Sequence, residues 1–166
     1  LSICTFAEDE PYREVFAAAR VLADVTFIVT GTKKKICKTL DESLPANVRL
    51  TGYLNDADYV ALLFAVDVIM DLTTVEHCMV CGAYEAVAAG KPLILSEQKV
   101  LRDYFDQGTV FTKNHADSIC RSIKTALADQ ERLCKDMVSL RSRRNIEWQQ
   151  RWLDFVSLLQ GQHVHK

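Results

Sequence analysis

The sequence predicts an α/β fold, one parallel sheet of about six strands with helices on both faces and a C-terminal helical extension. Two observations predict it. Short β-branched or aliphatic runs alternate with stretches of helical spacing about six times along the chain. Those runs are almost continuously apolar, as strands are when both sheet faces are covered. No internal repeat or low-complexity linker breaks the pattern, so one domain is expected.

Leu1–Phe6 is short, apolar and followed by the acidic turn Glu8-Asp9-Glu10-Pro11, which makes it the first strand. Proline suits the first turn of a helix. Val15, Phe16, Ala19 and Leu22 then share one helical face. Val25–Thr30 is β-branched and aromatic and stops at Gly31, a second strand. A basic helical segment is expected from Lys34 to Leu40, and a third strand over Asn47–Tyr53. Asn55-Asp56 caps a helix from Ala57 to Ala65. Asp67–Leu72 is the fourth strand. Met79–Ala89 is an apolar helix that Gly90 terminates. Leu93–Leu95 is the fifth strand, Val100–Phe105 a short helix and Gly108–Thr112 the sixth strand. From Ala116 to Leu159 the spacing is helical, in two or three pieces.

The chain has 166 residues, enough for a core of its own. Hydrophobic residues are 49% and charged residues 25%, as in globular proteins that face water. A formal net charge of −2 excludes bulk attraction to nucleic acid or to an anionic membrane surface. Lys33-Lys34-Lys35 and the group Arg141, Arg143 and Arg144 read as solvated faces. No apolar run approaches the ~20 residues that span a bilayer. No signal-peptide pattern is present, so a cytoplasmic location is expected. Leu1 falls inside a strand, which suggests an excised piece of a longer chain, and the tail 160–166 reads as a disordered or vector-derived end. Cys4, Cys37, Cys78, Cys81, Cys120 and Cys134 are expected to be reduced thiols.

In open parallel sheets, ligands bind beyond the carboxyl ends of the strands. Gly31, Gly52-Tyr53, Thr73–Cys78 and Ser96 lie at those ends. The segment from Thr73 to Ala86 leaves a strand, passes through a polar loop and enters the apolar helix. A helix N-terminus offers free N–H groups and partial positive charge, a natural seat for phosphate or a sugar hydroxyl. Glu85 is the only carboxylate in that helix. It either accepts hydrogen bonds from a ligand's hydroxyls or is a structural carboxylate with a buried partner. Gly82 inside the helix suggests a close approach of backbone or ligand. Cys78-x-x-Cys81 next to His77 admits a zinc or a redox reading. No second ligand pair accompanies it and the element order is wrong for a redox fold, so small packing residues are the preferred reading. No Ser-His-Asp constellation is recognisable, and Gly31-Thr32-Lys33-Lys34-Lys35 lacks the second glycine of a phosphate loop.

The run VRLTGYLNDADYVALLFAVDVIMDL leading to YEAVAAGKPLILS resembles the C-terminal, donor-binding domain of GT-B glycosyltransferases, above all family 4. Glu85-Ala86, Ala88, Gly90, Pro92 and Ser96 match the family's Glu-Ala-x-Ala-x-Gly-x-Pro helix and the strand end after it. The likeness extends over Leu1 to Leu127. It implies a Rossmann-like domain that binds a nucleotide-diphosphate sugar and transfers a hexosyl group with retention, without a metal. It also implies an N-terminal partner domain, absent from this chain, that holds the acceptor, a sugar or a lipid-linked glycan. That domain could seat the protein peripherally on the inner face of a membrane.

Site residues follow from the same resemblance. Glu85 matches the second glutamate of the family's E-x7-E motif, which binds the nucleotide ribose. The loop before it, with Thr74 and the N–H groups of Cys78, Met79 and Val80, would hold hexose and diphosphate. Leu54 and the Gly52-Tyr53 turn would line the base, and Gly31 is a further donor-binding residue. The first glutamate's place falls on His77, with Glu76 one residue earlier, and these two are the catalytic candidates.

Departures concentrate at the diphosphate end. Cys78 and Val80 replace loop glycines. Thr5, Phe6 and Glu8-Asp9-Glu10 stand where the family carries a basic clamp, and Lys99-Val100 replaces a Gly-Gly pair. Lys33, Lys99 or Arg102 would have to compensate. Two alternatives follow: a degenerate, non-catalytic Rossmann-like domain that binds a protein partner, and half of a sugar-nucleotide epimerase.

Overall fold

The computed structural model describes residues 1–32, 36 and 44–161. Its elements alternate as expected: α1 Tyr12–Val21, β1 Phe27–Thr30, β2 Val48–Gly52, α2 Asp56–Ala65, β3 Ile69–Asp71, α3 Cys81–Ala89, β4 Leu93–Ser96, α4 Lys99–Tyr104, β5 Thr109–Thr112, α5 Ala116–Ala128 and α6 Gln130–Gly161. Of the basic segment expected from Lys34 to Leu40 only Ile36 is among the described residues, and Lys33 lies outside them.

All strand pairs are parallel: β1 with β2, and β3 with β4 and β4 with β5. Among the described residues five strands form, against the six expected. The first segment does not become a regular strand; it bridges the two groups at Ser2, which pairs with Val29 on one side and Met70 on the other. The Ser2 N–H donates to Ile28 O at 2.7 Å, and the Ile3 N–H to Met70 O at 2.9 Å. The chain then turns away at Phe6, whose φ of 59° lies in the left-handed region and cannot continue a strand. In space the order is therefore β2, β1, segment 1–4, β3, β4, β5. The chain builds outward to one side, then crosses back to build the other, so the switch point lies between segment 1–4 and β3. That is where ligands sit in such sheets.

Helices cover both faces. On one, Phe16, Ala19, Val29, Ile94, Ile119 and Ile123 are buried together beneath α1 and α5. On the other, Ile69, Ala83, Leu95, Leu101, Phe105, Met137 and Leu140 pack beneath α2, α3, α4 and α6. Every residue of β4 is buried, as its place between two strands and two helical layers requires.

Caps behave as their residue types predict. The Asn55 side chain accepts the Asp58 N–H at 3.0 Å and opens α2. Gly90 ends α3 at φ 68°, and the Lys91 N–H returns to Ala86 O at 3.0 Å. The helix expected from Met79 begins two residues later, at Cys81, with Val80 as an extended cap. The C-terminal region forms two helices. The second, α6, runs against Gly108, where an added Cβ would lie 2.8 Å from the Met137 backbone nitrogen. Beyond Leu140, Arg143 pairs with Asp106 and Arg144 donates to Tyr104 O, holding α6 to α4, while Trp148, Trp152 and Phe155 are exposed. No described helix is long and apolar enough to cross a membrane.

Candidate functional site

A cleft opens at the carboxyl ends of the strands. On the β1–β2 side a cavity of about 420 Å³ is lined by Gly31, Gly52, Tyr53, Leu54, Asp56 and Tyr59, with Cys4 and Thr5 from the first segment. Gly31 is required there. Its φ is 102°, and a Cβ would come within 2.5 Å of the Cys4 carbonyl oxygen. Gly52, Tyr53 and Leu54, assigned to the base by resemblance, and the donor-binding candidate Gly31 share one cavity wall. Tyr53 is 88% exposed, so its ring is free to meet a ligand.

Glu85 sits on α3, half-buried, and the Tyr59 hydroxyl donates to its Oε2. The Tyr59 phenol is pushed above its ordinary value, first by burial and then by this bond. Tyr59 also lines the cavity, so it couples the cavity wall to the carboxylate. Sequence reasoning left Glu85 between a ligand role and a structural partner and did not find Tyr59. The signal was its place on α2, which the sheet order brings beside α3.

The loop between β3 and α3 carries the remaining candidates. Glu76 and His77 are exposed, and His77 adopts φ 60°, a left-handed conformation that costs a non-glycine residue ~1 kcal/mol or more. Cys78 and Met79 are half-buried and Val80 is buried. These three precede the helix, so their N–H groups belong to the loop and not to the first turn of α3. The Thr74 N–H and hydroxyl are taken up by the Asp9 carbonyl at 2.7 and 3.0 Å. Cys78 and Cys81 are free thiols. Cys81 is exposed, which corrects the packing reading for that residue alone, since Cys78 is half-buried.

The N-terminus of α3 is capped from within. Asp71, at the end of β3, accepts the Gly82 N–H at 2.8 Å. Gly82 is a close approach: a Cβ there would lie 2.6 Å from Asp71 Oδ2 and 2.5 Å from Ile3 Cδ1. Burial pushes the Asp71 carboxyl up from 3.8 to about 7. The Gly82 N–H works in the opposite direction, and the charges of Glu10, Glu85 and Asp9 add to the rise. Sequence reasoning missed Asp71 because it lies inside an apolar strand.

A polar network ties the strand ends together beside this loop. The Thr73 N–H donates to Ser96 Oγ at 3.0 Å, and the Ser96 hydroxyl to Asn114 Oδ1 at 2.8 Å. The Asn114 amide donates to Thr73 O at 2.8 Å. It fixes the loop's exit from β3. Of the cations expected to compensate for the missing clamp, Lys99 is paired with Asp103, and Arg102 with Glu97 at 2.6 Å.

Solved structures share this architecture. HepE from Anabaena, in complex with UDP, superposes with a TM-score of 0.79 at 17% identity, over 94% of this chain and 47% of its own. Sucrose-phosphate synthase from Thermosynechococcus elongatus gives 0.76 at 17% identity, over 99% and 46%. The catalytic domain of cholesterol-α-glucosyltransferase from Helicobacter pylori gives 0.67 at 14% identity, over 86% and 94%. The chain spans about half the length of the first two. No curated protein sequence matches it. The family model of glycosyl transferases group 1 matches residues 11–141, from α1 through the Glu85 helix into α6. The fold and that match agree, and the chain belongs to the glycosyl transferases group 1 family.

Proposed function

We propose that this chain is the donor-binding half of a retaining glycosyltransferase, taking a nucleotide-diphosphate sugar for transfer to an acceptor held by a second, N-terminal domain. The observation that carries the reading is Tyr59, which lines the cavity beyond β1 and β2 and donates to the Glu85 carboxylate beside it. A carboxylate held on one side by a phenol keeps its other oxygen for a ligand, and a ribose diol is a fitting donor. Gly31, Tyr53 and Leu54 would take the base. Glu76 and His77, on the exposed loop, would face the hexose at the closing domain, and the loop N–H groups of Cys78, Met79 and Val80 would lie beneath it. HepE has been crystallised with UDP-glucose, which makes a uridine donor the first to try.

Isothermal titration with UDP, GDP and ADP and their glucose derivatives tests the reading. One nucleotide should bind, and Glu85→Ala should weaken it at least roughly tenfold, the loss of one charge-assisted bond pair. Absence of heat at millimolar ligand, in this chain and in a protein that includes the N-terminal domain, would sink it. A second reading, a degenerate domain that binds a protein partner, draws on one observation: carboxylates stand where cations are expected at the diphosphate end. An unaltered affinity in Glu85→Ala would favour it.

A further inference from the structure

At the switch-point crevice the converging backbone donors are already satisfied by the chain's own carboxylates. The left-handed turn at Phe6, φ 59°, brings the N–H groups of Thr5 and Ala7 to one side. Successive amides turned in this way form a nest, a backbone concavity suited to an anion. Glu10 fills it. The Thr5 N–H lies 3.0 and 2.8 Å from the two carboxylate oxygens, the Ala7 N–H 2.9 Å and the Thr5 hydroxyl 3.2 Å. The Cys4 thiol adds a contact at 3.2 Å. Asp9 pins the same turn across the crevice. Its carbonyl takes the Thr74 N–H, and its carboxylate takes the Thr73 hydroxyl at 2.9 Å. On the far side, Asp71 takes the Gly82 N–H, a free donor of the α3 terminus.

We propose that Glu10 is a built-in occupant of the phosphate nest, so that a ligand's phosphates add little to binding and recognition falls on the nucleoside end. A phosphate entering the nest must displace the Glu10 carboxylate with Asp9 and Asp71 close by. A nucleoside at the cavity lined by Tyr59 carries no charge to oppose Asp56 and the nearby Glu85. Glu10 is in this sense a specificity-determining residue, selecting nucleoside over phosphate contacts. The statement about nucleosides rests on the donor-binding reading above. The statement about the nest does not.

Two measurements separate them. Inorganic pyrophosphate is titrated into isotope-labelled protein, unmodified and Glu10→Ala, while the Thr5 and Ala7 amide resonances are followed. The variant should show saturable shifts at both amides, and the unmodified protein at least about tenfold weaker binding, as expected when a charged competitor is removed from a nest. Equal binding in both, or no shift in a variant with native circular dichroism, overturns the inference. Should Glu10→Ala not fold, Glu10→Gln keeps an acceptor oxygen, loses the charge and must shift affinity in the same direction. Calorimetry then compares uridine with UDP. Their affinities for the unmodified protein should agree within about threefold, and UDP should gain at least about tenfold in the variant. UDP binding tenfold tighter than uridine to the unmodified protein refutes the proposal. Failure of both to bind, here and in a protein that includes the N-terminal domain, counts against a uridine donor instead, and the pyrophosphate result alone then decides the role of Glu10.

Discussion

Asp71→Asn should stabilise the protein above neutral pH and do little below about pH 4. The Asp71 carboxyl is held at about 7 in the folded chain, against 3.8 when free, because it is buried at the end of β3 with three other carboxylates nearby. The sign runs opposite to that of a salt-bridged aspartate. Between those two values the folded protein keeps a proton that the unfolded chain has released. Stability therefore falls as pH rises through that interval and levels off above it. From pH 5 to pH 8 the group crosses about two pH units of the interval at about 1.36 kcal/mol each, a loss of about 3 kcal/mol. Asparagine has nearly the same shape and can still accept the Gly82 N–H, but carries no charge. Urea unfolding of both proteins at pH 5 and pH 8 measures the difference. The advantage of Asp71→Asn should grow by about 3 kcal/mol between the two pH values. An advantage that stays flat, or shrinks with pH, would refute the burial argument and mean that a cation or water neutralises the site.

Two further changes probe the cavity. Gly31→Ala should destabilise by about 2 kcal/mol or more, because it meets both an unfavourable φ and the Cys4 carbonyl, and a thermal melt will show it as a clear drop in midpoint. An unchanged melt would mean the first segment can move away from β1. Tyr59→Phe removes the donor to Glu85 and should cost about 1 kcal/mol of stability in urea, the usual worth of one hydrogen bond. It should also weaken the nucleotide found by calorimetry a few-fold by freeing Glu85 to rotate. Tighter binding would mean that Tyr59 competes with the ligand for the carboxylate.

The fold was legible because its signals are local and repeated. Apolar runs, Asn55 before α2 and Gly90 after α3 each specify one boundary without reference to the rest of the chain. The first segment was legible as strand-like from its apolar residues. The left-handed turn at Phe6 was not, since nothing in an aromatic residue announces a positive φ. The site divides the same way. Glu85 stands out as a carboxylate in an apolar helix. Its partner Tyr59 is on another helix, 26 residues earlier, and only the packing of α2 beside α3 brings them together. Asp71 and Glu10 are the harder cases. Read along the chain, one is a blemish in a strand and the other part of a solvated acidic turn. Their bonds to Gly82, Thr5 and Ala7 depend on backbone amides, and every residue but proline supplies an amide, so composition carries no trace of them.

The acidic turn also shows why membership of a transferase family and competence for transfer are separate questions. Leaving-group stabilisation requires donors that are unsatisfied, or weakly satisfied, until charge develops on the diphosphate. Here Thr5, Ala7 and Gly82 donate to fixed carboxylates in the resting protein. For them to serve the reaction, Glu10 would have to swing out of the nest, and Asp71, near 7, is poised to take up a proton. On the donor-binding proposal above, a second domain closing over the crevice would be the agent of such a swing, and the donor site would be completed by closure rather than preformed.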